Sequence, residues 1–179
     1  MNDNGSRCKV VVDGTDFRIQ EQHPFNSKWY TKKFNGPGLR YEVCTCIQTG
    51  WIVWVNGPFP CGAWSDLKIA MTDLVNMFEG DERAVADKGY RGHSVYFDTP
   101  WKYLDNVHQK ARKAQARARR ECVNRRFKKW RALHCIFRHD IRKHGLVFTA
   151  VANIEQLKIE LSPMWQVEYY DRIHNEYNT

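Results

Sequence analysis

The chain lacks any apolar run approaching the roughly 20 residues that cross a bilayer. Its first seven residues, Met1 to Arg7, are polar and hold no signal-like apolar stretch. Neither a membrane partner nor secretion is expected. The expected location is the nucleus if the source is eukaryotic and the cytoplasm otherwise. Six cysteines are present, but none form a CxxC pair, so a zinc ribbon is not expected. There is no internal repeat and no Gly/Ser linker, so nothing divides the 179 residues into several units. Acids are scarce in one stretch: Val107 to Lys143 carries 14 Lys plus Arg against only Glu121 and Asp140.

What is present points to a packed, basic domain. Hydrophobic residues make up 42% and aromatics 13%, too much ring area for a disordered chain. Lys plus Arg number 28 against 20 acids, a net charge of +8, which favours a polyanionic partner such as nucleic acid. The expected layout is a polar tail over 1–7, one domain over 8–161, and an aromatic-rich tail over 162–179 packed on it.

Strands come first and helices later. Lys9–Val12 is a β-branched run that the turn signal Asp13-Gly14-Thr15 ends. Leu39–Gln48 reads as a strand, Thr49-Gly50 as a tight turn and Trp51–Asn56 as its hairpin partner. Ser65 is a fitting N-cap for a helix reaching Phe78. Arg83–Ala86 reads as a fourth strand running into Asp87-Lys88-Gly89-Tyr90. The pattern predicts one long helix over Asn106–Lys143, a break at Gly145, and a last helix spaced by Val147, Ala150, Ile154, Leu157 and Leu161. This order predicts a mixed α/β fold, a mixed sheet flanked by helices, as in the ribonuclease H-like fold.

Three acids occupy special places. Asp13 ends the first strand, Asp87 ends the fourth, and Glu121 lies in the long helix. Carboxylates at the ends of neighbouring strands converge, and a helix crossing that edge adds a third. Such a set suits Mg²⁺ or Mn²⁺, and two such ions serve phosphodiester chemistry. The same residues also fit a plain reading, since Asp before Gly is a common turn residue and a helical Glu pairs with Arg117 four residues earlier. On the helix, Arg117, Glu121, Asn124 and Lys128 share one stripe, with Val123, Phe127, Trp130 and Phe137 opposite. Arg117, Arg119, Arg120, Arg125, Arg126, Lys128 and Lys129 are the candidate phosphate contacts, with a solvated face as the alternative. His139 and His144 read as surface or capping histidines.

The runs Val10–Phe17 (VVVDGTDF), Val85–Gly92 (VADKGYRG) and Arg117–Trp130 (RARRECVNRRFKKW), with the stretch from Lys32 to Pro60, resemble DDE-superfamily transposases of the Harbinger-like group. The resemblance runs from about Cys8 to Glu168. It implies a metal-dependent DNA endonuclease and strand-transfer domain with two Mg²⁺ or Mn²⁺ ions per site. By this resemblance Asp13, Asp87 and Glu121 are the catalytic and metal-binding acids, with Asp66 in GPFPCGAWSD competing for the second place. Asp16 is secondary. Ala114 departs from the Tyr that relatives often carry there. Only 12 residues precede Asp13, where such transposases carry a DNA-binding region. A separate DNA-binding subunit or N-terminal domain is therefore the expected partner, besides DNA itself. The alternative is a domesticated or decayed transposase-derived DNA-binding protein without catalysis.

Overall fold

The computed structural model describes residues 8–100 and 107–165. The expected tail at 1–7, the helix start at Asn106 and most of the expected packed tail (166–179) lie outside the described residues. Ten elements follow in order: β1 (Cys8–Arg18), β2 (Tyr30–Thr31), β3 (Gly36–Cys46), β4 (Ile52–Pro60), α1 (Asp66–Thr72), β5 (Arg83–Val85), β6 (Phe97–Asp98), α2 (Val107–Lys129), α3 (Arg131–His134) and α4 (His144–Leu161).

The expected mixed α/β architecture is present. β3 pairs antiparallel with both β1 and β4, and β1, β5 and β6 run parallel. The sheet path is β2-β3-β1-β5-β6, with β4 also on β3. β1 does not stop at Asp13-Gly14-Thr15. It continues to Arg18 because β3 supplies a ladder partner all the way, from Val10↔Cys46 to Arg18↔Gly38. The nonlocal ladder overrides the local turn signal. What does stop is the other ladder: β5 accompanies β1 only as far as Val11↔Val85.

Side chains alternate across the sheet. Phe17, Leu39, Tyr41 and Val43 face α2 and α4, packing with Val123, Phe127, Phe148 and Val151. Val12, Cys44, Ala84 and Ala86 face the other way, against Ala70 and Leu74. The sheet is thus covered on both faces, by α1 on one and by α2 to α4 on the other.

The helices are shorter than their patterns. Ser65 caps α1 as expected, accepting from the Lys68 N–H at 3.2 Å. The helix ends at Thr72, whose hydroxyl bonds the Lys68 carbonyl, and a single 3-10 turn over Leu74–Met77 carries on toward Phe78. The long basic helix breaks at Trp130, which is extended (φ −76, ψ 121). There the indole donates to Glu155 at 2.7 Å and lies under the Lys158 ammonium, so α4 holds the ring and the chain turns away. The turn lets Leu133 and Phe137 into the core. Gly145 is no break but the second residue of α4. His144 is not at the surface. It is fully buried, 2.7 Å from the Tyr41 hydroxyl, and burial lowers its pKa to about 4.

Arg119 also departs from expectation. It is fully buried and cannot track phosphates; its guanidinium donates to the carbonyls of Ile47, Gln48 and Trp165. Those acceptors tie the β3–β4 hairpin and the start of the C-terminal tail to α2. Replacing Arg119 with Leu strips three carbonyls of a charged donor and is expected to lower stability by about 2–3 kcal/mol. Urea denaturation checks this.

Candidate active site

Where β5 stops following β1, carboxylates gather. Continuing the parallel register two residues past Val11↔Val85 sets Asp13 beside Asp87. Asp13 faces α2, where Asn124 donates to its Oδ2 at 3.0 Å and Arg120 Nε stands 3.4 Å away. Asp87 turns back onto its own chain, accepting from the Gly89 N–H at 2.7 Å and capping the 3-10 turn over Lys88–Tyr90.

Asp66 joins them from α1. As the first residue of that helix it sits at the positive end of the peptide dipoles. Its carboxylate lies against Gly14, where any Cβ would collide with it. A Cβ at Gly89 would lie 4.0 Å from Asp66 Oδ2 and 3.0 Å from Asp87 Oδ1. Asp66 therefore reaches from the residue after Asp13 toward the turn that Asp87 caps. The sequence reading ranked Asp87 over Asp66 for the second place; Asp66 abuts the residue after Asp13 from the other sheet face, and both acids stand near enough for their charge to act on Asp13.

The electrostatics agree. Burial raises the Asp13 pKa to about 6, with Asp66 and Asp87 pushing the same way and Arg120 and Lys33 opposing. Burial also raises Asp66, against the pull of Arg40 and Lys33, with Asp16 and Asp87 adding to the rise. Nearby negative charge thus adds to burial in disfavouring the ionised forms of Asp13 and Asp66. Asp66 Oδ1 is buried without a hydrogen bond. Arg40 Nε stands 3.2 Å away but directs its N–H at Asp16, at 2.7 Å. Arg40 also joins Asp16 through a second bond at 2.8 Å and the Trp64 carbonyl at 3.0 Å. Asp16 is thus the buried end of a structural ion pair, on the face opposite Asp13.

Glu121 stands apart. Its side chain is 66% exposed, and its nearest charge partner is Arg120, 3.8 Å away. The helix offers Asn124 and Arg120 to Asp13, and leaves Glu121 at the rim, three residues before Asn124. Among the described residues no three His, Cys, Asp or Glu side chains stand close enough to hold one ion as they are placed. Of the expected phosphate contacts, Arg120 is half-buried beside Asp13, its Nε and Nη1 atoms buried without hydrogen-bond partners. Arg125, Lys128 and Lys129 are exposed, Arg117 is half-buried, and Arg126 pairs with Glu155 at 3.4 Å.

Two groups near the cluster were missed in the sequence. Glu42, paired with Gly14 in the ladder, is buried mid-strand. Burial raises its pKa to about 7, while the Trp54 indole, donating to Oε2 at 3.0 Å, pulls it down. Tyr90 is fully buried, and its hydroxyl has no partner. Arg40 and Glu42 at alternate positions of an otherwise apolar strand were the available signal, since both must share the Gly14 face.

No helix among the described residues is long and apolar enough to cross a membrane. No family model matches the chain, and no curated protein or solved structure matches it significantly.

Proposed function

We propose that the chain is a metal-dependent DNA endonuclease domain of the DDE type, built on a ribonuclease H-like sheet. The observation that carries this reading is the approach of Asp66 and Asp87 to Asp13 beyond the end of the β1–β5 ladder, with Asp66 Oδ1 buried without a hydrogen bond and met only by the Arg40 ion pair. Carboxylate oxygens alone make a hard donor set, which suits Mg²⁺ or Mn²⁺. The strand path β4-β3-β1-β5-β6, with β1, β5 and β6 parallel, supports the fold assignment.

Asp13, Asp66 and Asp87 would hold the cations, with Glu121 as the outer carboxylate. Bound there, a pair of cations supplies activation of the attacking oxygen and charge stabilisation at the leaving one. The chain's own residues do the rest. Asn124 fixes the Asp13 carboxylate through Oδ2. Arg120, released from Asp13 once cations neutralise that carboxylate, would turn its guanidinium to the non-bridging phosphate oxygens, a role that suits its planar fork. Arg125, Lys128 and Lys129 extend the positive track along α2. A DNA-binding role without catalysis is the competing reading. It is favoured by Arg120 beside Asp13 and Arg40 beside Asp66, which offset the carboxylates as they stand.

The test is thermal. The Asp13 pKa is raised from 3.8 to about 6. The folded chain therefore keeps a proton that the unfolded chain releases. That contribution is fully present below the unfolded value and is lost as pH rises through the folded one; the loss amounts to about 3 kcal/mol at neutral pH. Without metal, Asp13→Asn should melt higher than wild type at about pH 8 and at the same temperature at about pH 4. Millimolar Mn²⁺ should raise the wild-type Tm at the higher pH, much less at about pH 5 where protons compete, and not at all in Asp13→Asn. Equal Mn²⁺ shifts in both proteins would remove the metal site.

A further inference from the structure

The β1 edge that loses β5 leads away from the carboxylates to a second feature. Among the described residues no strand pairs with that edge between Asp13 and Phe17. At its far end lies a cavity of about 840 Å³, bounded by Arg18, Phe34, the last turn of α2, α3 and the segment through Arg138. Lys128 lines it and follows Asn124, the partner of Asp13, by four residues. Lys128 thus lies about one helical turn, roughly 6 Å along the axis, beyond Asn124.

Its lining combines charge with ring surface. Arg18, Lys128, Arg131 and Arg138 contribute four permanent cations. Among the described residues none of these four pairs with a carboxylate, and the one acid in the wall, Asp16, is held by Arg40 at 2.7 Å. The Arg18 guanidinium lies over the half-buried Phe34 ring, 5.0 Å from its centroid, so the two stack as one plate in the cavity wall. Free cations beside a flat π surface fit a nucleotide, whose base stacks while its phosphates meet the charges. A base inside duplex DNA keeps its faces covered by its neighbours, so only an unpaired one offers a face to this plate. An acidic peptide would satisfy the charge and leave the plate unused.

We infer that this cavity receives an unpaired nucleotide of the DNA strand whose phosphodiester lies at Asp13; the assignment rests on the nuclease reading and adds a strand-end subsite to it. Arg131, Arg138 and Lys128 take its phosphates, and the Phe34–Arg18 plate takes its base.

Binding in EDTA tests the subsite without cleavage, so its outcome stands apart from whether the chain cuts DNA. The full chain is titrated into a fluorescent blunt hairpin and into the same hairpin with a short single-stranded overhang, across a salt series. The overhang is expected to bind about tenfold more tightly, the gain of stacking one base. Phe34→Leu, which keeps an apolar side chain over Gly38, should abolish that preference and leave blunt-hairpin affinity within about twofold. Should Phe34→Leu fail to fold, Arg18→Gln, an exposed change, removes the other half of the plate and carries the same expectation. Arg131→Ala with Arg138→Ala should flatten the salt slope for the overhang by about one to two. The inference is overturned by equal wild-type affinity for both hairpins. It is also overturned if the plate variants weaken both hairpins alike, or if polyglutamate displaces the overhang as well as a single strand of equal charge does.

Discussion

Asp66→Asn is expected to abolish Mn²⁺-dependent DNA nicking as completely as Asp13→Asn does. The two carboxylates belong to adjoining positions: Asp13 faces α2, and Asp66 abuts Gly14, the next residue, from the α1 side of the sheet. An amide is a poor ligand for a hard cation, so either change removes several kcal/mol of transition-state charge stabilisation. The rate should fall by about a thousandfold. Asp87→Asn should behave likewise, with some added loss of stability because Asp87 caps the following turn. Glu121→Gln should also lower nicking while leaving DNA affinity intact or slightly tighter, since a negative charge near phosphate is lost. A plasmid-relaxation assay with Mn²⁺ reads all four. Full activity in Asp66→Asn would falsify the arrangement proposed here and return the second place to Asp87 alone. DNA binding with no nicking by wild type would favour the non-catalytic reading.

Phe148→Ala is expected to give the largest loss of stability. Phe148 is fully buried and stacks on Tyr41, with centroids 3.9 Å apart and planes 19° apart. It also meets Phe17 at 5.5 Å and Phe127 at 5.1 Å, joining β1, β3, α2 and α4 in one aromatic cluster. Truncation there leaves a cavity among rigid rings that cannot collapse into it. The cost is about 3–5 kcal/mol, and a chain of this length should melt about 10 °C lower. Phe148→Leu should recover part of the loss by refilling volume. Differential scanning calorimetry checks both. A change of a degree or two in Phe148→Ala would show that the rings repack.

How much of this the sequence revealed depended on distance along the chain. β3, β4 and β5 were legible because β-branched and aromatic runs carry a local signal. The length of β1 was not, because the residues that hold Asp13-Gly14-Thr15 extended are in β3, on another part of the chain. The basic stretch was legible as charge but not as orientation. Nothing near Arg119 says that it turns inward to three carbonyls while Arg120, its neighbour, turns toward Asp13. Asp13 and Asp87 stood out through their places after β-branched strands. Asp66 read as a helix-start residue, and its role depends on where α1 docks. That docking is set by Ala70 and Leu74 meeting Val12 and Ala84 across the sheet, and no local pattern encodes it. Glu121 was set on one stripe with Asn124, which does reach Asp13, while Glu121 itself stays exposed; 3.6-residue periodicity fixes only a direction, not the reach of a side chain to a point.

Gly14 gives the cluster an unusual tolerance profile. The distance between a strand carboxylate and a helix carboxylate is set there by the absence of an atom, since even one methyl group would occupy the space of the Asp66 side chain. An alanine at this position would change no charge and break no ladder bond, yet its methyl group would take the place of the Asp66 carboxylate, which must then turn away. Charge exchanges at Lys33 or Arg125 leave that carboxylate where it is; at Gly14 even the smallest side chain displaces it.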